Sequence, residues 1–382
     1  MRAVYCCFSL GLLLAATACG SSEPTPPGPC GSLDALAALS DYASSKVGGF
    51  GLDGGTSFAA GVDLGSDPAL SFSRGRAFYL ARDLGRIFEL DTRCGRPFAE
   101  WSANDANGLG SADPQDVAVA PDGALWVARY NVPSLLILAP GDAGPPRTVD
   151  LSGYDTDGNP QASAIRIVDD VGTPPAPKAF VALQRLDDRN MLIADKSSTM
   201  LRIDVATARV EAALTLAGRN PFGTTDVIGG ATFLAEPGNF SVADEPFAGI
   251  ERFDFASSTS KLLITKHDLG GSPAEVAVTA GCGVAVLAGA SSVNATSLVS
   301  FDPDTGEIFA GLGQPILSTP GFFLQGLAWL GATVLVVGEG DLKAVKASVF
   351  HVFDRTAGCN LKERPLPLHL PLKPIAVRAA SP

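Results

Sequence analysis

The side chains able to do chemistry fall in short polar clusters between long apolar, β-rich runs. They are Arg82-Asp83, Arg129-Tyr130-Asn131, Gln184-Arg185-Leu-Asp187-Asp188-Arg189, Arg219-Asn220-Pro-Phe222, His267-Asp268 and Phe322-Phe323-Leu-Gln325. Arg, Tyr, Asn and Gln beside aromatic rings suit recognition of a polar ligand, because they set directional donors and acceptors next to apolar surface. Arg185 beside Asp187 and Asp188 reads as an internal salt bridge rather than a catalytic group. Covalent or metal chemistry has little material, since the only histidines are His267, His351 and His369 and there is no GxSxG, HExxH or phosphate-cradling glycine loop. Asp155-Thr-Asp157-Gly158-Asn159 starts like a calcium loop, with oxygen ligands at alternate positions and Gly at the turn. Arg166 stands where an EF-hand needs its twelfth-position Glu, so no cofactor is expected, and a looser calcium site at Asp155 and Asp157 is the alternative to that.

These clusters must be positioned by a repeating framework. Phe88-Glu-Leu-Asp91-Thr, Leu201-Arg-Ile-Asp204, Glu251-Arg-Phe-Asp254, Val299-Ser-Phe-Asp302-Pro-Asp-Thr-Gly306 and His351-Val-Phe-Asp354 are one motif, an apolar strand closed by an Asp-centred turn. Intervals of about 50 residues or more suit one four-stranded propeller blade, with the Asp turn placed at the end of its last strand. Asp116-Val-Ala-Val-Ala-Pro-Asp-Gly123-Ala-Leu-Trp-Val supplies two strands joined by a hairpin turn, and Glu275–Val286 and Leu327–Val337 repeat it. Six units follow, near residues 68–104, 112–152, 160–217, 219–270, 272–318 and 320–370. Pro374-Ile-Ala-Val-Arg378 looks like a first strand with no successor, and residues 37–50 look like later strands with no first. Joining them closes an all-β ring of seven blades and leaves no open sheet edge; six blades with frayed ends is the alternative. In such a ring the loops from fourth to first strand and from second to third share one face, and the polar clusters fall on those loops.

Four cysteines lie in the ring, Cys30, Cys94, Cys282 and Cys359. Cys30 and Cys282 fall at turns between first and second strands, and Cys94 and Cys359 at turns between third and fourth strands, all on the opposite face. The pairs Cys30–Cys94 and Cys282–Cys359 would each join neighbouring blades by the same geometry, so two disulfides are expected; metal binding is the rival, with no CxxC spacing to support it.

Residues 1–18 read as an export signal, with Arg2 ahead of an apolar run too short to span a bilayer. Ala16-Thr17-Ala18-Cys19-Gly20 resembles a bacterial lipobox, in which the Cys19 thiol is acylated. Residues 19–29 form a Pro-rich tether, and residues 30–382 a single propeller domain. Ser and Gly rather than Asp after Cys19 favour, by resemblance to sorting patterns, the outer membrane of a Gram-negative cell. A net charge of -12 and a pI near 4.7 disfavour nucleic acid and anionic lipid headgroups as partners.

Val181-Ala-Leu-Gln-Arg-Leu-Asp187, Ala217-Gly-Arg-Asn-Pro-Phe-Gly223 and Phe301-Asp-Pro-Asp-Thr-Gly306 resemble the YncE-like, YVTN-type propeller lipoproteins common in deltaproteobacteria. The resemblance covers essentially the whole chain after the tether. It implies a propeller at the cell envelope and carries no catalytic signature. The function expected is a monomeric, non-catalytic binding or scaffold module for an envelope peptide, glycan or protein, touching the membrane through its lipid alone. Candidate ligand residues are Arg82, Asp83, Arg129, Tyr130, Asn131, Gln184, Arg185, Arg219, Asn220, His267, Phe322 and Gln325. The rivals are a metal-dependent envelope enzyme of the lactonase or streptogramin-lyase kind, which needs Asp83, Asn131, Asp187 or His267 to converge, and a purely structural component.

Overall fold

Alternation of side chains across a strand explains the architecture of the chain, because nearly every middle strand is apolar on both faces. Ala35–Ser40 and Cys282–Ala288 are buried along their whole length, and outer strands such as Arg209–Thr215 alternate exposed and half-buried residues. A sheet with two buried faces needs a neighbour on each side, and a closed ring supplies one. The computed structural model describes residues 32–59, 62–106, 108, 110–142, 144–242, 244–289, 295–341, 348–365, 368 and 370–380. The signal, lipobox and tether, including Cys19 and Cys30, lie outside the described residues, as does His369.

Seven antiparallel sheets form a seven-bladed β-propeller. Blades 1 to 6 occupy residues 68–102, 114–150, 162–215, 222–265, 272–319 and 324–364. In blade 7 the C-terminal strand Pro374–Ala379 pairs with Ala35–Ser40, which is followed by Ser45–Phe50 and Thr56–Phe58. The ring therefore closes by strand exchange between the two ends of the propeller, as the sequence predicts.

Among the described residues, seven hydrophobic clusters lie one at each junction between neighbouring blades. The strand Arg76–Ala81 shows how one strand serves two of them. Phe78 and Leu80 pack toward blade 2, and Ala77, Tyr79 and Ala81 pack toward blade 7. Polar links reinforce the junctions near the axis. Asp116 accepts from Ser71 Oγ of blade 1 at 2.6 Å, and from Ile165 N and Arg166 Nη1 of blade 3 at 3.0 and 2.5 Å. Glu275 of blade 5 accepts from Gly326 N and Leu327 N of blade 6 at 3.0 and 2.8 Å.

The Asp-centred turns lie at the end of the third strand in blades 1, 3, 4, 5 and 6, not at the end of the last. Asp204 Oδ1 accepts from Thr207 N and Oγ1, Asp254 Oδ1 from Ser257 N and Oγ, and Asp302 Oδ1 from Asp304 N and Thr305 N. These bonds turn the chain back into the fourth strand, which is why Asp recurs at that position. Cys282, at the turn between the first and second strands of blade 5, and Cys359, at the turn between the third and fourth strands of blade 6, form a disulfide with Cα atoms 5.0 Å apart. Cys94 is also disulfide-bonded; its expected partner, Cys30, lies outside the described residues.

Candidate binding site

The first strand of each blade faces the propeller axis, and in every blade except the first its pairing slips near the start. Blade 1 pairs without a slip. A bulge leaves one residue out of the ladder and re-aims its side chain. The residues passed over include Gln115, Ser163, Ala274 and Ile375, and all four line a central cavity of about 540 Å³ at the axis.

Six of the twelve expected ligand residues meet in this cavity: Arg82, Tyr130, Gln184, Asn220, Phe322 and Gln325. Each comes from a different position on the loop face, brought inward by the ring. Arg82 makes an ion pair with Asp67 and donates from Nη1 to Gln115 Oε1 at 3.0 Å. Gln115 Nε2 in turn donates to Asp113 Oδ1 at 2.7 Å. Gln184 donates to the Pro221 carbonyl at 2.9 Å and Asn220 to the Gly238 carbonyl at 2.9 Å, which fixes both amides at the rim.

The other six lie elsewhere. Arg129 is fully buried and structural, donating to the Ser134 and Ala103 carbonyls at 3.1 and 3.0 Å and to Asp105 at 2.7 Å. Asp83 caps the chain at Ser66, accepting from its N–H and its hydroxyl at 2.8 Å each. Arg185 donates to the Ser197 carbonyl at 3.0 Å; the expected bridge to Asp187 or Asp188 does not form among the described residues, because the left-handed backbone at Arg185 (φ 58°) sends the side chain the other way. Arg219 stacks on Phe247, 4.8 Å from the ring centroid. Asn131 lines a separate hollow with Asn159 and Asp188. His267 sits on an exposed helical turn, Lys266–Leu269, 3.4 Å from Asp244. Asp83, Asn131, Asp187 and His267 are thus not brought to one point.

The Asp155-Asp157 segment is occupied by internal partners. Lys196 Nζ lies 2.6 Å from Asp155 Oδ1, and Asp157 accepts from Asn159 N and Asp188 N at 3.0 and 3.2 Å. Among the described residues no group of three His, Cys, Asp or Glu is arranged to hold a metal.

The cavity also holds residues that the sequence did not single out, chiefly Asp113, Gln115, Tyr42, Glu275 and Arg378. Asp113 occupies left-handed backbone (φ 53°), a conformation costing energy for any residue with a side chain. Burial pushes its carboxyl up to about 6, against the opposing pull of Arg82 and with Asp67 adding to the rise. Burial also pushes the Tyr130 phenol up to about 12, helped by the charges of Asp188 and Asp113. The arrangement can bind through directed hydrogen bonds, charge and aromatic surface in a half-desolvated cup.

No protein-family model and no curated protein matches the chain. Among solved structures it is similar to the Dos1 propeller, at 13% identity and a TM-score of 0.54 over 90% of this chain and 86% of that one. It is also similar to the WD40 repeats of RRP9, at 12% identity and a TM-score of 0.52 over 82% of each chain. A streptogramin B lyase aligns over 79% of this chain and 84% of its own at 13% identity, with a TM-score of 0.48. Identities this low establish the propeller fold and nothing of its chemistry.

Proposed function

We propose that the protein is a non-catalytic binding propeller of the cell envelope, tethered by lipid at Cys19 and taking its ligand at the central cavity. The observation that carries this reading is the convergence of six separately expected recognition residues in one cup of about 540 Å³. A peptide segment, glycan or protein loop is the ligand scale that such a cup accepts. The YncE-like resemblance supports an envelope address, and the charge of -12 supports a partner other than nucleic acid or an anionic membrane surface.

Selection from a displayed peptide library against the isolated ring tests the binding site. Enriched peptides should lose binding when Tyr130→Ala or Gln184→Ala removes a wall of the cup, and peptides indifferent to both changes would place binding elsewhere and overturn the reading. The anchor is tested separately by growth on radiolabelled palmitate. Label should appear in the wild-type chain and vanish in Cys19→Ala, and equal or absent label in both would refute lipidation.

A further inference from the structure

Resting on that reading of the cavity, we infer that the ligand presents a protonated amine, held by the Asp113 carboxylate among the aromatic rings of the cup. The charges around the cavity point this way. Arg82 is matched by Asp67, and Arg378 and Lys373 both face Glu275. Lys373 Nζ further donates to the Phe322 carbonyl at 2.8 Å. Asp113, by contrast, makes no ion pair among the described residues; Oδ1 takes the Gln115 amide, and no hydrogen bond reaches Oδ2. Asp188, whose charge acts on Tyr130, is likewise held by neutral amides, Gln161 at 2.6 Å and Asn159 at 3.1 Å.

The neutral groups agree with the charges. Asn220 is 8% exposed and lines the cavity, yet its Oδ1 accepts no hydrogen bond. A buried acceptor without a partner is unfavourable. Tyr42, Tyr130, Phe222 and Phe322 supply ring faces, which attract cations. The Phe322 ring already carries one, with Lys373 Nζ 5.4 Å from its centroid. An ammonium has three donors and no acceptor, matching the open Asp113 carboxylate. An anionic ligand would meet Asp113 unfavourably, and a neutral sugar would leave its Oδ2 without a charged partner.

A pH signature follows. Arg82, Asp67, Asp83 and Tyr130 face Asp113, and burial holds its carboxyl at about 6. Only the ionised form pairs with an amine, so raising the pH from 5 to 7 should strengthen binding about tenfold. Calorimetry at constant ionic strength tests this with 1,6-hexanediamine, its neutral diacetylated counterpart and maltotriose. The expected result is binding of the diamine alone, weakened at pH 5 and weakened about tenfold by Asp113→Asn. Asn tolerates the left-handed backbone and still accepts from Gln115, and an unchanged melting temperature would show that the fold is intact. Equal binding of the diacetylated compound or of maltotriose, or a diamine indifferent to Asp113→Asn, overturns the inference. If selected peptides depend on Tyr130 and Gln184 yet carry no amine requirement, the amine inference fails and the binding site stands. If neither probes nor peptides depend on the cavity, both fail.

Discussion

Glu236 has no exposed surface, and neither carboxyl oxygen has a conventional donor. Its neighbour Glu251 accepts from Ala217 N and Gly218 N at 2.9 and 2.7 Å, and a side chain at Gly218 would collide with the Glu236 carboxyl. Burial, reinforced by Glu251, pushes Glu236 well above the ordinary carboxyl range, so the folded protein keeps it protonated. A raised folded-state pKa means that the folded chain holds more protons than the unfolded one once the pH passes about 4.5, and stability falls as pH rises from there. Each tenfold gain in proton affinity on folding removes about 1.4 kcal/mol at high pH. Glu236→Gln should therefore be more stable than wild type at pH 8, with the gap narrowing toward pH 4 in urea titrations; a gap independent of pH would refute this. Asp116 ties three blades together through its hydrogen bonds. Asp116→Ala removes the salt bridge to Arg166 together with the bonds from Ser71 and Ile165, and should cost about 3–5 kcal/mol by urea denaturation. At this scale the sequence showed which loops matter, because Arg82-Asp83 and Arg129-Tyr130-Asn131 are visibly polar between apolar strands. It did not show which side chain of each pair turns inward. Asp113 and Gln115 were missed because they sit at the head of an apparently regular strand, although Pro114 between them, like Pro273 and Pro374 just before Ala274 and Ile375, marks the place where the ladder slips.

Blades were legible because their signals are local. Pro121-Asp122-Gly123 makes its hairpin from residues within the turn, with Gly123 at φ 89°, and Asp91, Asp204, Asp254 and Asp302 at third-strand ends capture N–H groups two or three residues on. The placement of that turn at the fourth strand was wrong for a physical reason. Outer strands such as Ile308–Ala310 are short and half-exposed, so hydropathy marks the buried third strand as the end of the unit. The disulfide between blades 5 and 6 was legible because turn positions repeat from blade to blade. Cys282–Cys359 spans 77 residues and constrains the unfolded chain over that length. Replacing both with Ala should cost about 2–4 kcal/mol in urea titration under oxidising conditions. Reductant should bring the wild-type protein down toward the double variant, and a double variant as stable as oxidised wild type would show that the blade junction suffices alone.

A ring has no end, so the molecule depends on its closing strand more than on any single blade. Pro374–Ala379 pairs with Ala35–Ser40 along its length, and Val377, fully buried, packs into the junction between blades 6 and 7. Removing residues 374–382 would strip that ladder and bare the edge of a strand whose every residue is buried. It would also remove Ile375, Ala376 and Arg378 from the central cavity and take from Glu275 its facing cation Arg378. Stability in such a ring is a sum of neighbour interfaces, but closure couples the first interface to the last. The truncated chain should lose its cooperative thermal transition and associate through the open edge, seen as a shift to larger species in sizing chromatography. Val377→Asp separates the two effects, since it keeps the backbone ladder and buries an unpaired charge at one junction. That variant should unfold cooperatively at a lower temperature and stay monodisperse. If the truncated chain instead kept its transition within a few degrees, the blades would be stable without closure, and the exchanged strand would serve the cavity rather than the fold.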